Sequence, residues 1–94
     1  MGGWRIYNTP QWRQIRAQVK ANAKGLCQYE LKRNGCYVPG YAVDHIVPLS
    51  KGGSEFGGTF TFLSKEAHAI KTASEKHMTV DQIMAEWGVL AVPT

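Results

Sequence analysis

Asp44 and His45 are adjacent near the end of a segment, Tyr41 to Val47, that can form a short strand. Successive strand residues point to opposite faces, so a carboxylate and an imidazole leave this strand in different directions. That suits a division of labour in which the carboxylate holds a cation and the imidazole, which titrates near neutral pH, accepts a proton. By itself an Asp-His pair is also an ordinary surface hydrogen-bonding pair. His68 comes next, with Lys71, Thr72 and Glu75 at +3, +4 and +7 from it. These four share one polar face of a helix, which in isolation describes a solvated surface. A third set, Arg13, Arg16, Lys20 and Lys24, recurs at helical spacing. Such a basic stripe is either a solvated face or a ladder of phosphate contacts.

The elements that must position these residues are punctuated clearly. Thr9-Pro10 is a helix start, with Thr9 as the cap and Pro10 at the first helical position. The helix is expected to run to Ala23 or Lys24, where Gly25 ends it. Trp12, Ile15, Val19 and Ala23 form its apolar face. Asn34-Gly35, Pro39-Gly40, Gly52-Gly53 and Gly57-Gly58 mark turns or loops. Thr59 to Leu63 is rich in β-branched and aromatic residues and predicts a second strand. Ser64 caps a second helix of about 13 residues that ends near His77 or Met78. Thr79-Val80-Asp81-Gln82 is a capping box opening a third helix through Trp87, with Gly88 at its end. The expected order is helix, irregular segment, strand, long loop, strand, helix, helix, an α+β arrangement.

The 94 residues leave room for one domain. Hydrophobic residues at 44% and charged residues at 19% fit a globule that buries a modest core. Eleven Lys and Arg against seven Asp and Glu give a formal charge of +4 and a pI near 9.3. That balance favours a polyanionic partner without identifying one. No apolar run approaches the ~20 residues of a membrane span, and no signal-peptide pattern opens the chain. A cytoplasmic location with no membrane partner is therefore expected. Two cysteines, Cys27 and Cys36, could bridge a small loop, but buried free thiols are the expectation in a reducing cytosol.

Spacing ties these pieces together. Asp-His at a strand end, a glycine-rich loop, a second strand, then a helix carrying His-x-x-Lys-Thr resembles the HNH (ββα-metal) endonuclease family, in its small phage-type form. The resemblance covers most of the chain. Tyr7-Asn8-Thr9, Trp12-Arg13, Ile15-Arg16 and Cys27 are similar to the N-terminal approach. Val43-Asp44-His45-Ile46-Val47-Pro48-Leu49 with Gly52-Gly53 is similar to the first strand and loop. Leu63 and Ala67-His68-Ala69-Ile70-Lys71-Thr72 are similar to the helix. The resemblance implies a ββα-metal core over about residues 41–77, flanked by an N-terminal and a C-terminal helix. It further implies cleavage of DNA phosphodiester bonds, with His45 as general base and Asp44 and His68 as ligands of one divalent cation. Mg²⁺ or Mn²⁺ suits that donor set, and Ni²⁺, Zn²⁺ or Co²⁺ is tolerated. Arg13, Arg16, Lys20 and Lys71 are the expected DNA contacts.

Two departures stand out. The middle Asn of the family falls at Thr59, whose hydroxyl cannot reproduce an amide's paired donor and acceptor. Thr59 therefore takes the catalytic bracing position in altered form, and a degenerate domain that binds DNA or a protein with little cleavage is the alternative reading. The family's structural zinc, held by two Cys-x-x-Cys pairs, would fall at Cys27 with Glu30 and Ser64 with Ala67. With three of four thiolates gone, no structural zinc is expected. Packing by Tyr29, Tyr37, Tyr41, Trp12 and Trp87 is expected to take its place.

Overall fold

The computed structural model describes residues 9–94, so Tyr7 and Asn8 of the N-terminal approach lie outside the described residues. Helix α1 spans Pro10–Asn22, and the Thr9 side chain accepts from the Trp12 amide as the cap. Ala23 caps the other end. Lys24 and Gly25 then turn the chain through positive φ angles of 57° and 73°. The helix thus stops just before the expected boundary.

The segment expected to be irregular contains a helix, α2, over Gln28–Asn34. Its residues are mostly polar and only Gln28 is buried, so it carries no apolar period by which to recognise it. Asn34-Gly35 is therefore not a free turn but the helix end, with Gly35 at φ 66°. Arg33 fixes α2 by donating to the Glu86 carbonyl at 2.7 Å, its guanidinium over the rings of Tyr29 and Trp87.

Strand β1 covers Ala42–His45 and β2 covers Phe60–Leu63, both shorter than the sequence suggested. They pair antiparallel, with Asp44 opposite Thr61 and His45 opposite Phe60. Between them lie a 3-10 turn at Leu49–Lys51 and the glycine-rich loop. Ser64 then caps α3, Lys65–Glu75, by accepting from the Ala67 amide. Helix α4 spans Val80–Trp87, with the Thr79–Gln82 capping box formed in both directions. A 3-10 turn follows at Gly88–Leu90, and Val92 bridges back to Phe60 through a 2.8 Å backbone hydrogen bond. The result is the small ββα-metal type of α+β fold, with an N-terminal and a C-terminal helix. No helix among the described residues is long and apolar enough to cross a membrane.

The two faces of this short sheet do different work. Phe60 and Phe62 join Trp12, Val19, Ala23 and Val92 in one cluster against α1, with Val43 packed on it. Leu63 lies on the opposite face and packs with Cys27 and Ala67. Two positions matched to the family's zinc thiolates, 27 and 67, are thus part of an apolar contact, while Ser64 serves as a helix cap. Ile46, Ile83, Trp87 and Leu90 make a third cluster, joined by Tyr29. Trp12, Trp87 and Tyr29 pack as expected, but Tyr37 and Tyr41 are 80% and 66% exposed and support no core. Tyr41 adjoins the sheet, its amide donating to the Leu63 carbonyl at 2.8 Å, but its ring lies outside under the Lys65 ammonium. Cys27 is a buried free thiol, whereas Cys36 is free but exposed, contrary to expectation.

Candidate active site

His45 is the last residue of β1, and its side chain is buried on the α1 face of the sheet. Trp12 stacks on its ring, with centroids 5.2 Å apart and planes 5° from parallel. Phe60, its cross-strand partner, approaches at 4.9 Å with a 60° tilt. The imidazole Nε2 lies 3.1 Å from the Glu55 carbonyl oxygen. A carbonyl can only accept, so Nε2 donates this bond, which in a neutral imidazole leaves the lone pair on Nδ1. Two aromatic rings and one carbonyl therefore set both the plane and the tautomer of His45.

The loop that presents the Glu55 carbonyl is tightly made. Gly53 donates to the Pro48 carbonyl and Gly57 to the Ser54 hydroxyl. A Cβ at Gly53 would lie 2.0 Å from the Val47 carbonyl oxygen, so only glycine allows this approach. Thr59 is exposed, and its hydroxyl makes no hydrogen bond to any described residue. Its backbone carbonyl accepts from Ile46 at 2.9 Å, extending the ladder past His45. Thr59 and His45 line one hollow of about 270 Å³ together with Ser54, Gly58 and Val80.

Asp44 points the other way, toward α3. Its Oδ1 lies 3.4 Å from Nδ1 of His68. Its Oδ2 meets the ammonium of Lys71 at 2.7 Å, as an ion pair and not an aligned hydrogen bond. Nδ1 of His68 is buried without a hydrogen-bond partner among the described residues, although the rest of the ring is half-exposed. An orphaned imidazole nitrogen facing a carboxylate oxygen fits a shared cation. Two ligands each about 2.0–2.2 Å from one metal ion stand roughly this far apart. Among the described residues no cluster of three or more His, Cys, Asp or Glu is formed. The chain thus offers a sparse donor set, one that leaves room for water and phosphate oxygens.

The basic stripe of α1 lies on the other side of the sheet, next to the Trp12 that stacks on His45. Arg13, Arg16 and Lys20 line an open groove of about 710 Å³ with Tyr41, Val43 and Phe62, and Trp12 lines it too. Trp12 therefore both lines this groove and stacks on His45. Lys24, on the same sequence stripe, lies beyond this groove.

Neither a family model nor a curated protein matches the chain. Among solved structures, the chain is similar to the crystal structure of the HNH endonuclease of the deep-sea thermophilic bacteriophage GVE2 with manganese ion. The two are 30% identical and superpose with a TM-score of 0.66, over 80% of this chain and 83% of that one. This chain belongs to the HNH endonuclease family. Within this HNH domain, β1 and α3 bring Asp44, His45 and His68 to one end of the sheet, as the motif spacing implies.

Lys71 requires a correction. It is not on a solvated face of the HNH helix and cannot reach DNA, because it is 1% exposed and its ammonium is enclosed. It donates to Glu75 Oε2 at 2.7 Å and to the His45 carbonyl at 3.0 Å, besides pairing with Asp44. Sequence reasoning also missed three other contributors: Glu75, the Glu55 carbonyl and the Trp12 stack. The Lys71–Glu75 spacing of four was the one available signal for an ion pair. A backbone carbonyl and an aromatic stack leave no such mark.

Proposed function

We propose that this domain is a metal-dependent endonuclease that hydrolyses DNA phosphodiester bonds. The observation that carries this reading is the 3.4 Å approach of Asp44 Oδ1 to the unpartnered His68 Nδ1, beside a histidine of defined tautomer. Asp44 and His68 would hold one divalent cation, with Mn²⁺ or Mg²⁺ suited to the carboxylate and imidazole donors. When bound, that cation supplies Lewis-acid stabilisation of the negative charge that grows on the phosphate and the departing oxygen. His45 takes a proton from the attacking water at Nδ1, because the Glu55 carbonyl holds the proton on Nε2. Trp12 and Phe60 keep the ring aimed while the proton moves, so little reorganisation is needed in the transition state. Arg13, Arg16 and Lys20 bind the phosphate backbone along the groove.

Thr59 supports a second reading, DNA binding with little turnover, because its hydroxyl braces nothing among the described residues. The Glu55 carbonyl argues for the first reading, since it holds His45 without help from residue 59. Supercoiled plasmid incubated with the protein and Mn²⁺, Mg²⁺ or Ni²⁺, beside an EDTA control, separates them. Cleavage is expected with metal and none with EDTA. His45→Ala should cut about 10²–10⁴-fold more slowly while still binding Mn²⁺. A folded wild-type protein that binds DNA and cuts with none of the metals would overturn the enzymatic reading.

A further inference from the structure

Lys71 is the only buried Lys, Arg, Asp or Glu among the described residues. An ammonium removed from water is costly unless its donors and its charge are met. Here the ammonium nitrogen meets three oxygens: Asp44 Oδ2 as an ion pair and Glu75 Oε2 as a hydrogen-bonded one, each at 2.7 Å, and the His45 carbonyl at 3.0 Å. One side chain of α3 thus touches both consecutive residues of β1, the carboxylate of one and the backbone of the next. Glu75, one turn further along α3, makes no hydrogen bond or ion pair with either and reaches them only through the ammonium.

We propose that Lys71 and Glu75 form a charge clamp on Asp44, which selects the carboxylate oxygen offered to the cation and sets how strongly the cation is held. The inference rests on the cation centre proposed above. The clamp acts in two ways. Lys71 occupies Oδ2, so only Oδ1, the oxygen facing His68, is available, and Asp44 is restricted to single-oxygen coordination. Positions that a two-oxygen grip would consume stay open for water and phosphate. The second effect is electrostatic. Asp44 and Lys71 alone would be a neutral pair with little attraction for a divalent cation. Glu75 draws on the same ammonium and leaves the triad with one net negative charge. Glu75 is thereby a positioning residue for metal binding, although it is not itself a ligand.

The charge count dictates the test. Glu75→Gln preserves shape and can still accept from Lys71, but it leaves the triad neutral. Lys71→Met combined with Glu75→Gln removes both members of the clamp and returns the net charge to one negative. Mn²⁺ is titrated into wild type and both variants without DNA, by calorimetry and by the loss of the free Mn²⁺ electron paramagnetic resonance signal. Circular dichroism confirms folding, and plasmid cleavage is measured in parallel. Glu75→Gln should bind Mn²⁺ about 10–100-fold more weakly, the range typical of residues supporting a metal ligand. The double variant should recover affinity to near the wild-type value but not its cleavage rate, since Asp44 is then free to offer either oxygen. A merely structural role for Glu75 would not produce recovery on losing a second buried contact. Folded Glu75→Gln with wild-type Mn²⁺ affinity overturns the clamp alone. A wild-type protein that takes up no Mn²⁺ overturns the cation centre and the clamp with it.

Discussion

Replacing Trp12 with leucine tests whether the α1 stack positions His45 or only fills space. Trp12 is 3% exposed, so nearly all of its surface is in contact with other groups. Complete truncation of a buried tryptophan costs about 3–5 kcal/mol, and leucine retains part of the volume, so a loss of about 2–3 kcal/mol is expected. Of that, about 0.5–1.5 kcal/mol belongs to ring-on-ring contacts with His45 and Phe60. At about 4–8 °C per kcal/mol for a domain of this size, the melting temperature should fall by roughly 10–20 °C. A domain with about 5–15 kcal/mol of stability remains folded at 25 °C. Asp44 and His68 lie on the other face of β1, so Mn²⁺ affinity should be unchanged. The cleavage step should slow by up to ~10²-fold, because the imidazole loses the face that holds its plane. Differential scanning fluorimetry, Mn²⁺ titration and single-turnover plasmid cleavage at saturating Mn²⁺ read the three quantities separately. A variant that melts at the lower temperature yet cuts at the wild-type rate would refute a positioning role for Trp12.

Changing Arg13, Arg16 and Lys20 together to Gln should flatten the plot of log affinity against log salt by about 0.9 per lost phosphate contact, or about 2.7 in all. Fluorescence anisotropy on a labelled duplex measures it, and Lys24→Gln, outside the groove, should leave the slope nearly unchanged. An unaltered slope in the triple variant would return the stripe to the role of a solvated face. Thr59→Asn should raise the single-turnover rate, within the ~10²-fold that positioning is worth, because an amide can tie the loop from both its donor and its acceptor. Folded Thr59→Asn that binds Mn²⁺ normally and cuts no faster would show that the Glu55 carbonyl already supplies all the bracing His45 needs.

The parts of this domain legible in the sequence are those governed by local chemistry. Thr9-Pro10, Ser64 and Thr79-Gln82 mark helix starts because a side chain within three residues completes each one. The spacing of Trp12, Val19 and Ala23 identifies the buried face of α1 because a regular helix repeats that spacing. Helix α2 escaped because its stability comes from elsewhere: Arg33 and Lys32 reach carbonyls on and just past α4, contacts more than fifty residues distant in sequence. Lys71 was misread for a related reason. Lysine and glutamate at helical spacing describe solvent until the strand carrying Asp44 is packed over the lysine, and Thr72 beside them does stay exposed. The motif points to Asp44, His45 and His68 as the candidate site, but the contacts that hold these side chains in place leave no mark in the sequence. That support comes from a tryptophan, a backbone carbonyl and a buried ammonium.

The four-residue pairing of β1 with β2 makes this domain unequally tolerant of changes in chain length. His45 faces Trp12 and Asp44 faces α3 only because the ladder holds one register. A slip of one position sends every side chain on a strand to the opposite face, which would put the carboxylate against the indole and the imidazole against Lys71. Deleting Ala42 or Val43 could thus exchange the directions of Asp44 and His45, whereas a deletion within residues 60–63 would turn the β2 side chains over and take Phe60 off the His45 ring. Outside that ladder, the Thr59 carbonyl on Ile46 and the Leu63 carbonyl on Tyr41 lock it from both ends. Closure entropy alone would permit insertions in the glycine-rich loop, since each doubling of loop length adds only about 0.6 kcal/mol, but the Glu55 carbonyl on His45 and the Ser54–Gly57 hydrogen bond fix the length of its central stretch. Length variation among homologous domains should therefore be absent from both strands and from the 53–57 stretch that holds His45.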